Sequence, residues 1–270
     1  GGDELFGGYA RYFDGYPVEH LYRRVPAAVR RSLAGTLAGV LPSRARRRLE
    51  VNALESHARY SREVTYWTRD ERRRVFPATA AHAPDLREEF AGYRGEDPVN
   101  GMLFVDSLTY LPDEILHVTD RMSMAVSLEA RTPFLDYRLV EYCATLPGRW
   151  KVSQEDRGWK MIFKKAMTGI VPDEVLGRRK KGFSAPVSHW MKTSMLPILR
   201  SLLRDGECVR AGLLDRKALE PFLTAAEKPR ARRSLHQKLW MVLQLELWCR
   251  VFAGPNAGAC PSFSIQDLTA

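Results

Sequence analysis

The first nine residues of the chain, GGDELFGGY, place two adjacent carboxylates, Asp3 and Glu4, inside a glycine-rich turn. Because glycine lacks a side chain, such a turn lets backbone N–H groups approach phosphate oxygens closely. A carboxylate on the same turn can hold Mg²⁺ between those oxygens. The turn therefore predicts a nucleotide-phosphate site at the start of the chain.

Two further segments carry many charges. Residues 120–136 (DRMSMAVSLEARTPFLD) alternate in sign, and residues 178–186 (RRKKGFSAP) lead four cations into a glycine. The segment 158–167 adds three lysines, among them Lys160. An acidic turn opposite a cationic loop suits a nucleoside triphosphate, because lysine and arginine neutralise the charge of departing pyrophosphate. Taken singly, each segment is also typical of an ordinary turn, an ion-pair network or a solvated face.

The chain is predicted to be mainly helical, since apolar residues recur at helical spacing and strand-like alternation is almost absent. Two proline-containing stretches, 129–136 and 178–186, are predicted as loops, and 76–100 as an irregular connection. Residues 254–270 are predicted to be a disordered tail. The predicted helices cover 17–41, 43–57, 60–75, a segment starting at Met102, 112–125, 137–146, 159–167 and 235–252.

Composition limits the function classes. The chain has 270 residues, 45% of them hydrophobic and 27% charged, and no apolar run long enough for a membrane helix. A formal net charge of +10 leaves a basic, helical nucleic-acid-binding protein as an alternative. The arginine clusters lack interleaved aromatics and no nucleic-acid motif accompanies them, so an acidic portion elsewhere in a longer protein accounts for the charge better. We therefore expect neither a nucleic-acid nor a membrane partner.

The four cysteines are scattered, without the paired spacing of a zinc site. Cys143 and Cys249 lie on apolar helical patterns and are predicted to be small buried side chains. This cysteine usage favours a reducing, cytoplasmic compartment.

Three segments together resemble the C-terminal half of glutamine-dependent asparagine synthetase. They are GGDELFGGY, LPDEILHVTDRMSMAVSLEARTPFLD and VPDEVLGRRKKGFSAPVSHWM, in the same order and at similar spacing. The resemblance covers residues 1–253. It implies a mainly α fold: the helical C-terminal part of an α/β synthetase domain of the ATP-pyrophosphatase, adenine nucleotide α-hydrolase-like type. Because the chain starts within the glycine turn, we expect it to be the C-terminal part of a longer enzyme.

The resemblance implies an ATP-dependent, amide-forming ligase with ATP and Mg²⁺ as cofactors. The side-chain carboxylate of aspartate, or another carboxylate, attacks the α-phosphate of ATP and gives an acyl-adenylate and pyrophosphate. Ammonia, released from glutamine by a separate N-terminal domain, then attacks the activated carbonyl. A homodimer is compatible with this family. Without the glutaminase domain and the pyrophosphate loop, the chain alone is expected to be inactive and to bind ATP weakly.

The resemblance also implies roles for residues of this chain. Asp3 corresponds to the ligand of Mg²⁺ and pyrophosphate, and Lys180 to the lysine that stabilises the pentavalent phosphorus. Lys160 corresponds to a basic, nucleotide-binding position. The remaining implied positions are Gly1, Gly2 and Glu4, which shape the nucleotide turn; Glu129 and Arg131, near the acyl acceptor; and the pair Asp120–Arg121, with Arg121 and Glu129 taken as catalytic beside Lys180.

Two departures from the family pattern bear on function. The family commonly carries Lys or Arg two residues before the Asp-Arg pair, where this chain has Val118 next to His117. The SGGxDS pyrophosphate loop is not among these residues either. Val118 leaves open a relative with another acceptor, such as a lactam- or peptide-cyclising synthetase or an amidotransferase of a biosynthetic cluster. The helical face that meets a parallel sheet in the family is expected to be apolar and exposed in this chain, or the chain is expected to be unstable alone.

Overall fold

The computed structural model describes most of the chain from residue 56 onward and the first twelve residues. The described ranges are 1–12, 56–79, 86–153, 158–178 and 185–253, with Gly182 and scattered positions between 25 and 36. Predictions for 43–55, for most of 17–41 and for the tail 254–270 therefore lie outside the described residues.

The described residues are mainly helical, as predicted. They contain no strand, and two isolated β-bridges join Ser153 to Gly158 and Thr168 to Val171. Within the same ranges, no helix is long and apolar enough to cross a lipid bilayer. The chain divides into two compact units. Unit 1 comprises residues 1–64 and 85–181, and unit 2 comprises residues 65–84 and 182–270.

The helices are short, and several end in tighter or wider turns. In chain order the α-helices whose bounds the structure describes are α1 (Gly2–Phe6), α2 (Ser56–Val64), α3 (Arg69–Val75), α4 (Arg87–Gly92), α5 (Pro98–Leu108), α6 (His117–Met124), α7 (Tyr137–Thr145), α8 (Gly148–Lys151), α9 (Met161–Ala166), α10 (Asp173–Leu176), α11 (Val187–Trp190), α12 (Leu196–Leu202), α13 (Glu207–Arg210), α14 (Arg216–Ala226) and α15 (Arg233–Trp248). Short 3₁₀ turns cover Ala10–Tyr12 and Pro133–Leu135, and π-helical turns cover Leu111–Leu116, Met191–Met195 and Cys249–Ala253.

Helix α5 supplies most of one core cluster of unit 1. Its N-terminus is capped by Asp97, whose carboxylate accepts from the backbone N–H groups of Val99 at 2.9 Å and Asn100 at 3.2 Å. Pro98 occupies the first turn, where its missing N–H is not needed. The buried members of the cluster are Tyr12, Tyr60, Val99, Met102, Leu103, Val105 and Val152.

Asp97 also joins α8 to α5, because its second carboxylate oxygen accepts from the backbone N–H of Gly148 at 2.7 Å. At the end of α8, Lys151 is only 2% exposed and donates from Nζ to Oδ1 of Asn100 at 2.8 Å. Burial lowers the pKa of Lys151 to about 8, although the nearby Cys143 thiol and Asp97 act in the opposite direction. Unit 1 thus holds a buried amine that ionises less readily than an ordinary lysine.

Lys151 gives the stability of the protein a specific pH dependence. Between pH values of about 8 and 10.5, the unfolded chain binds more protons at this lysine than the folded chain does. Its contribution to the free energy of unfolding is therefore unfavourable below this window and improves as the pH rises through it. We compare the free energies of unfolding of the wild type and of Lys151→Met, measured with urea. As the pH rises from about 8 to 10.5, the wild type is expected to gain stability relative to the variant. A difference that stays constant with pH contradicts the assignment.

Unit 2 is built around α15. Its buried side chains follow helical spacing, with His236, Leu239, Leu243 and Glu246 on one face. They pack in a single cluster with side chains of α3 and α11–α14. The largest fully buried apolar members of that cluster are Met191, Leu199, Leu203, Leu219, Leu223 and Leu239.

A capping box fixes the start of α3 and also binds α15. The Thr68 hydroxyl accepts from the backbone N–H of Glu71 at 3.3 Å, and the Glu71 carboxylate accepts from the backbone N–H of Thr68 at 2.8 Å. The same carboxylate receives Nζ of Lys238 from α15 at 2.5 Å. The Lys238 ammonium also lies over the ring of Trp67 at 5.2 Å. Hydrogen bonds from Lys238 and Thr68 lower the pKa of Glu71 although its partial burial acts to raise it.

Two predicted segment boundaries are wrong, and capping explains both. The irregular connection predicted over 76–100 contains α4 and the start of α5, because the Asp97 cap and Pro98 begin that helix ahead of the apolar pattern at Met102. The helix predicted over 60–75 is interrupted: α2 ends at Val64, and Thr68 is the N-cap residue at which α3 begins. The helices predicted over 112–125, 137–146, 159–167 and 235–252 are confirmed to within a few residues at their ends.

Candidate active site

The acidic glycine turn forms helix α1, whose apolar side packs into the core of unit 1. Leu5 and Phe6 are buried there, and the Phe6 ring stacks on Phe163 of α9 at a centroid distance of 4.9 Å. Gly7 ends the helix in the left-handed region with φ of 74°, a conformation that glycine adopts without steric penalty. This packing brings the N-terminus of α9 beside the polar side of α1.

The polar contact at this junction is an ion pair between Asp3 and Lys160. Nζ of Lys160 lies 2.7 Å from Oδ1 of Asp3, and the two side chains keep 25% and 20% of their surface exposed. Lys160 is the N-cap residue of α9 and has φ of 54°, the left-handed region that a lysine rarely occupies. A strained backbone at an accessible ion pair is a feature often found at functional sites.

Gly8 lies directly against this pair. A Cβ built on Gly8 would be 1.8 Å from Oδ1 of Asp3 and 2.8 Å from Cε of Lys160, so no larger residue fits while the pair stays in place. The backbone N–H of Gly8 donates to the carbonyl oxygen of Asp3 at 2.8 Å. The glycine therefore lets the carboxylate and the ammonium lie close to the main chain.

The two acids of the turn differ in their surroundings, since Asp3 is partly exposed whereas Glu4 is buried. Glu4 is 1% exposed, and its Oε1 accepts from the Tyr9 hydroxyl at 2.5 Å. Burial and the Glu4 carboxylate raise the pKa of Tyr9 above its ordinary value, so the phenol keeps its proton and remains a donor. The second acid of the turn thus anchors the chain segment that follows it.

A buried cluster around Asp106 of α5 continues this anchoring. Oδ2 of Asp106 accepts from Nη2 of Arg11 at 2.6 Å, and its two oxygens also accept from the hydroxyls of Tyr12 and Tyr60. The Arg11 guanidinium lies over the Tyr9 ring at 4.3 Å. Asp106 is 2% exposed, so these donors replace the water that its charge has lost. The residues that follow the turn are in this way fixed to α5.

Comparison with known proteins identifies the family. The family model for asparagine synthase matches residues 1–250. The chain belongs to the asparagine synthase family.

Individual relatives agree with this membership. The chain is 27% identical over 253 residues to "Asparagine synthetase [glutamine-hydrolyzing] 1" of Bacillus subtilis, a match covering 92% of this chain and 39% of that protein. It is 31% identical over 258 residues to "Putative asparagine synthetase [glutamine-hydrolyzing]" of Mycobacterium tuberculosis, covering 93% and 38%. A shorter match, 28% over 134 residues, relates it to "Amidase chry2" of Gibberella zeae and covers 48% of this chain and 20% of that protein.

Nearly all of this chain is matched, but it spans only 38–39% of the length of these two asparagine synthetases. No solved structure matches the chain significantly. The resemblance seen in the three charged segments is confirmed at the level of the family.

The structure brings together some of the residues that the resemblance to asparagine synthase singles out. Gly2 lies beside the ion pair, since a Cβ there would be 3.8 Å from Nζ of Lys160. Gly1 packs closely on Leu135, and a Cβ on it would be 2.4 Å from Cδ2 of that leucine. Gly2, Asp3 and Lys160 thus lie side by side in unit 1, whereas Gly1 packs against Leu135.

The other predicted site residues are exposed side chains that are not part of this ion pair, or they fall outside the described ranges. Glu129 pairs with Arg131 at 2.9 Å, and both side chains are largely exposed. Asp120 and Arg121 are exposed on α6. Lys180 is outside the described residues, so its convergence with Asp3 stays a prediction.

Helix α6 and the residues after it expose a run of apolar side chains. Val126 is 74% exposed and Met122 is 66% exposed, which is unusual for such side chains in a folded protein. The full run is Val118, Met122, Met124, Val126 and Leu128. The sequence led us to expect an exposed apolar face without locating it; that this run is the face that meets a parallel sheet is a prediction.

The residues around Asp3 fit the phosphates of a nucleotide and a Mg²⁺ ion. Within the described ranges, no three side chains of the His, Cys, Asp or Glu type are grouped as a metal cage. Magnesium is usually held by only one or two carboxylates, with substrate phosphates and water completing its shell. A single accessible carboxylate beside a lysine matches that requirement.

Sequence reasoning did not identify Tyr9, Arg11 or Asp106 as part of the site's support. Tyr9 and Arg11 could have been found from the sequence. Together with Tyr12 they form a run of aromatic and cationic residues directly after the glycine turn. Asp106, the acceptor of Arg11 and Tyr12, is 95 positions from Arg11 in sequence and appears there as one acid within an apolar helix. Only the packing of α5 reveals the connection.

Proposed function

We propose that this chain is the part of an ATP-dependent ligase that activates a carboxylate by adenylation and then forms an amide. The proposed reaction is the synthesis of asparagine from aspartate through β-aspartyl-AMP, with ammonia derived from glutamine. The observation that carries the proposal is the accessible Asp3–Lys160 pair against Gly8, within a chain of the asparagine synthase family.

The chemistry explains why such a pair is useful. A carboxylate is a poor electrophile until one oxygen becomes a good leaving group, and adenylation provides that group. Lys160 supplies a fixed positive charge where negative charge builds up on the phosphates, and its position is set before the reaction begins. Asp3 supplies the hard oxygen ligand of a Mg²⁺ ion, which when bound neutralises phosphate oxygens. Gly8 keeps the surface beside both groups free of a side chain.

Lys180 completes the proposed site. In the family resemblance it corresponds to the lysine that stabilises the phosphorus during transfer, and it belongs to a run of four cations. Two lysines from separate segments, Lys160 and Lys180, then share the charge of the departing pyrophosphate. Glu129 and Arg121 are proposed to act on the acceptor side of the same site.

The proposal is tested by aspartate-dependent pyrophosphate release in the complete natural protein. We expect Asp3→Asn to lower this rate by about 100-fold or more, because the neutral amide is a poor ligand for Mg²⁺. The matched control is Asp70→Asn, an equally small change at an exposed position of α3. A variant Asp3→Asn that releases pyrophosphate at close to the wild-type rate refutes the role of this carboxylate. Wild-type protein that releases none with any carboxylate refutes the ligase itself.

A second candidate differs only in the acceptor. Val118 replaces the basic residue common in the family, and the chain also matches a protein named as an amidase. We propose as the alternative an amide- or lactam-forming relative that adenylates another carboxylate. A screen of carboxylates by pyrophosphate release separates the two: dependence on aspartate supports asparagine synthesis, and its absence together with turnover of another acid supports the alternative.

A further inference from the structure

Unit 2 holds two buried cysteines whose sulfur atoms lie close together. Sγ of Cys208 in α13 is 3.0 Å from Sγ of Cys249, the residue that follows α15. Ordinary contacts between heavy atoms are about 3.5–4.0 Å, so this is a close approach, and a disulfide bond of about 2.0 Å needs a further shift of only about 1 Å. Each residue is 1% exposed, and neither takes part in the proposed ligase site.

The two backbones are already held together by Glu246, which is fully buried. Its carboxylate accepts from the backbone N–H groups of Glu207 at 2.9 Å and Cys208 at 3.0 Å. The same carboxylate receives Nε of Arg250 at 2.8 Å, and Arg250 also donates to the carbonyl oxygen of Leu202 at 2.9 Å. Non-covalent contacts on either side of the sulfurs therefore fix their separation without any bond between them.

A metal ion does not account for the pair. Two thiolates on a tetrahedral zinc lie about 3.8 Å apart, given a zinc–sulfur distance of about 2.3 Å. The sulfurs of Cys208 and Cys249 are closer than that, and the described residues offer no third ligand grouped with them. The geometry suits a covalent bond between the sulfurs better than a shared ligand.

We propose that Cys208 and Cys249 are an oxidation site, at which a peroxide converts the two thiols into an intramolecular disulfide. One sulfur attacks the peroxide oxygen, giving a sulfenic acid and, from hydrogen peroxide, water. The second sulfur then attacks the sulfenic sulfur, the S–S bond forms, and a second water leaves with the remaining thiol proton. Two thiols lose two electrons in total, and one peroxide bond is reduced.

Burial governs how fast this happens. Desolvation, the neighbouring thiol of Cys249 and the carboxylate of Glu246 raise the pKa of Cys208, so little thiolate is present in the folded protein. A small uncharged oxidant in excess is therefore needed. Once formed, the bond joins positions 41 residues apart and ties α13 to the end of α15, which removes conformational freedom from the unfolded chain.

The test uses the full chain treated with excess hydrogen peroxide, followed by alkylation of remaining thiols in denaturant and peptide mapping by mass spectrometry. We expect a linked peptide pair containing Cys208 and Cys249, and a melting temperature raised by about 5 °C or more. Dithiothreitol is expected to reverse both changes.

Three variants sharpen the result. Cys208→Ala and Cys249→Ala are each expected to abolish the cross-link, whereas Cys143→Ala, at a buried cysteine of unit 1, is expected to leave it intact. The peptide map of the wild-type protein tests the proposal without any variant, so the test does not depend on whether the variants fold. Recovery of both thiols unoxidised, their conversion only to sulfinic or sulfonic acids, or a bond to Cys143 or Cys260 instead overturns it.

Discussion

A Gly8→Ala variant is expected to release pyrophosphate about 100-fold more slowly than the wild type while remaining folded. The added methyl group would lie 1.8 Å from Oδ1 of Asp3 and 2.8 Å from Cε of Lys160. Both atoms are at the ends of movable side chains, so the clash is relieved by displacing the ion pair and not by unfolding α1. A shift of about 1 Å in a positioning group is enough for an effect of this size.

The measurement pairs the rate of pyrophosphate release in the complete natural protein with thermal melting of the same preparation. The matched control is Gly35→Ala, because a Cβ at that exposed glycine meets no atom within 4 Å. If Gly8→Ala keeps full activity, the Asp3–Lys160 arrangement is not required for catalysis. If the variant loses activity only because its melting temperature is lower, the substitution acts on folding and not on catalysis.

An Asp106→Ala variant is expected to lower the free energy of unfolding by about 3 kcal/mol or more. The substitution removes the counter-charge of the Arg11 guanidinium and the acceptor of two buried hydroxyls, those of Tyr12 and Tyr60. Burial alone raises the pKa of both tyrosines above its ordinary value, so in the variant neither can compensate by ionising near neutral pH. Polar groups without partners then account for the loss.

Urea unfolding followed by circular dichroism measures this loss, and Glu220→Ala serves as the control. Glu220 also pairs with an arginine, Arg200, at 2.8 Å, but its side chain is 47% exposed. An exposed pair of this kind contributes less than about 1 kcal/mol. Equal losses for the two variants would show that the Asp106 cluster is no more than a surface ion pair.

The helices were predictable wherever their apolar spacing is regular and a proline or an acidic residue marks an end. Helix α7 is an example, since Asp136 caps it and Leu139, Val140 and Cys143 share one face. The boundaries of α3 and α5 were not predictable from apolar spacing, because the caps at Thr68 and Asp97 begin each helix before its apolar residues do. Capping depends on the hydrogen bonds of a single residue, and the spacing of apolar residues carries no information about those bonds.

The candidate site was predictable in its composition and only partly in its arrangement. Asp3 and Lys160 were both singled out, yet nothing in the sequence indicated that they form a direct ion pair. Their contact depends on the stacking of Phe6 on Phe163, two apolar residues 157 positions apart. Long-range packing of this kind leaves no local pattern, and the same holds for the bond from Arg11 to Asp106.

The left-handed backbone of Lys160 has a consequence for how this position can change over evolutionary time. Most residues other than glycine or asparagine are penalised by about 1 kcal/mol or more at such a φ, and β-branched residues by more still. Mutation to glycine or asparagine relieves the penalty at once but discards the ammonium that lies on Asp3. Substitution at this position therefore trades relief of backbone strain against loss of the ion pair with Asp3, and this chain keeps the lysine together with its strain.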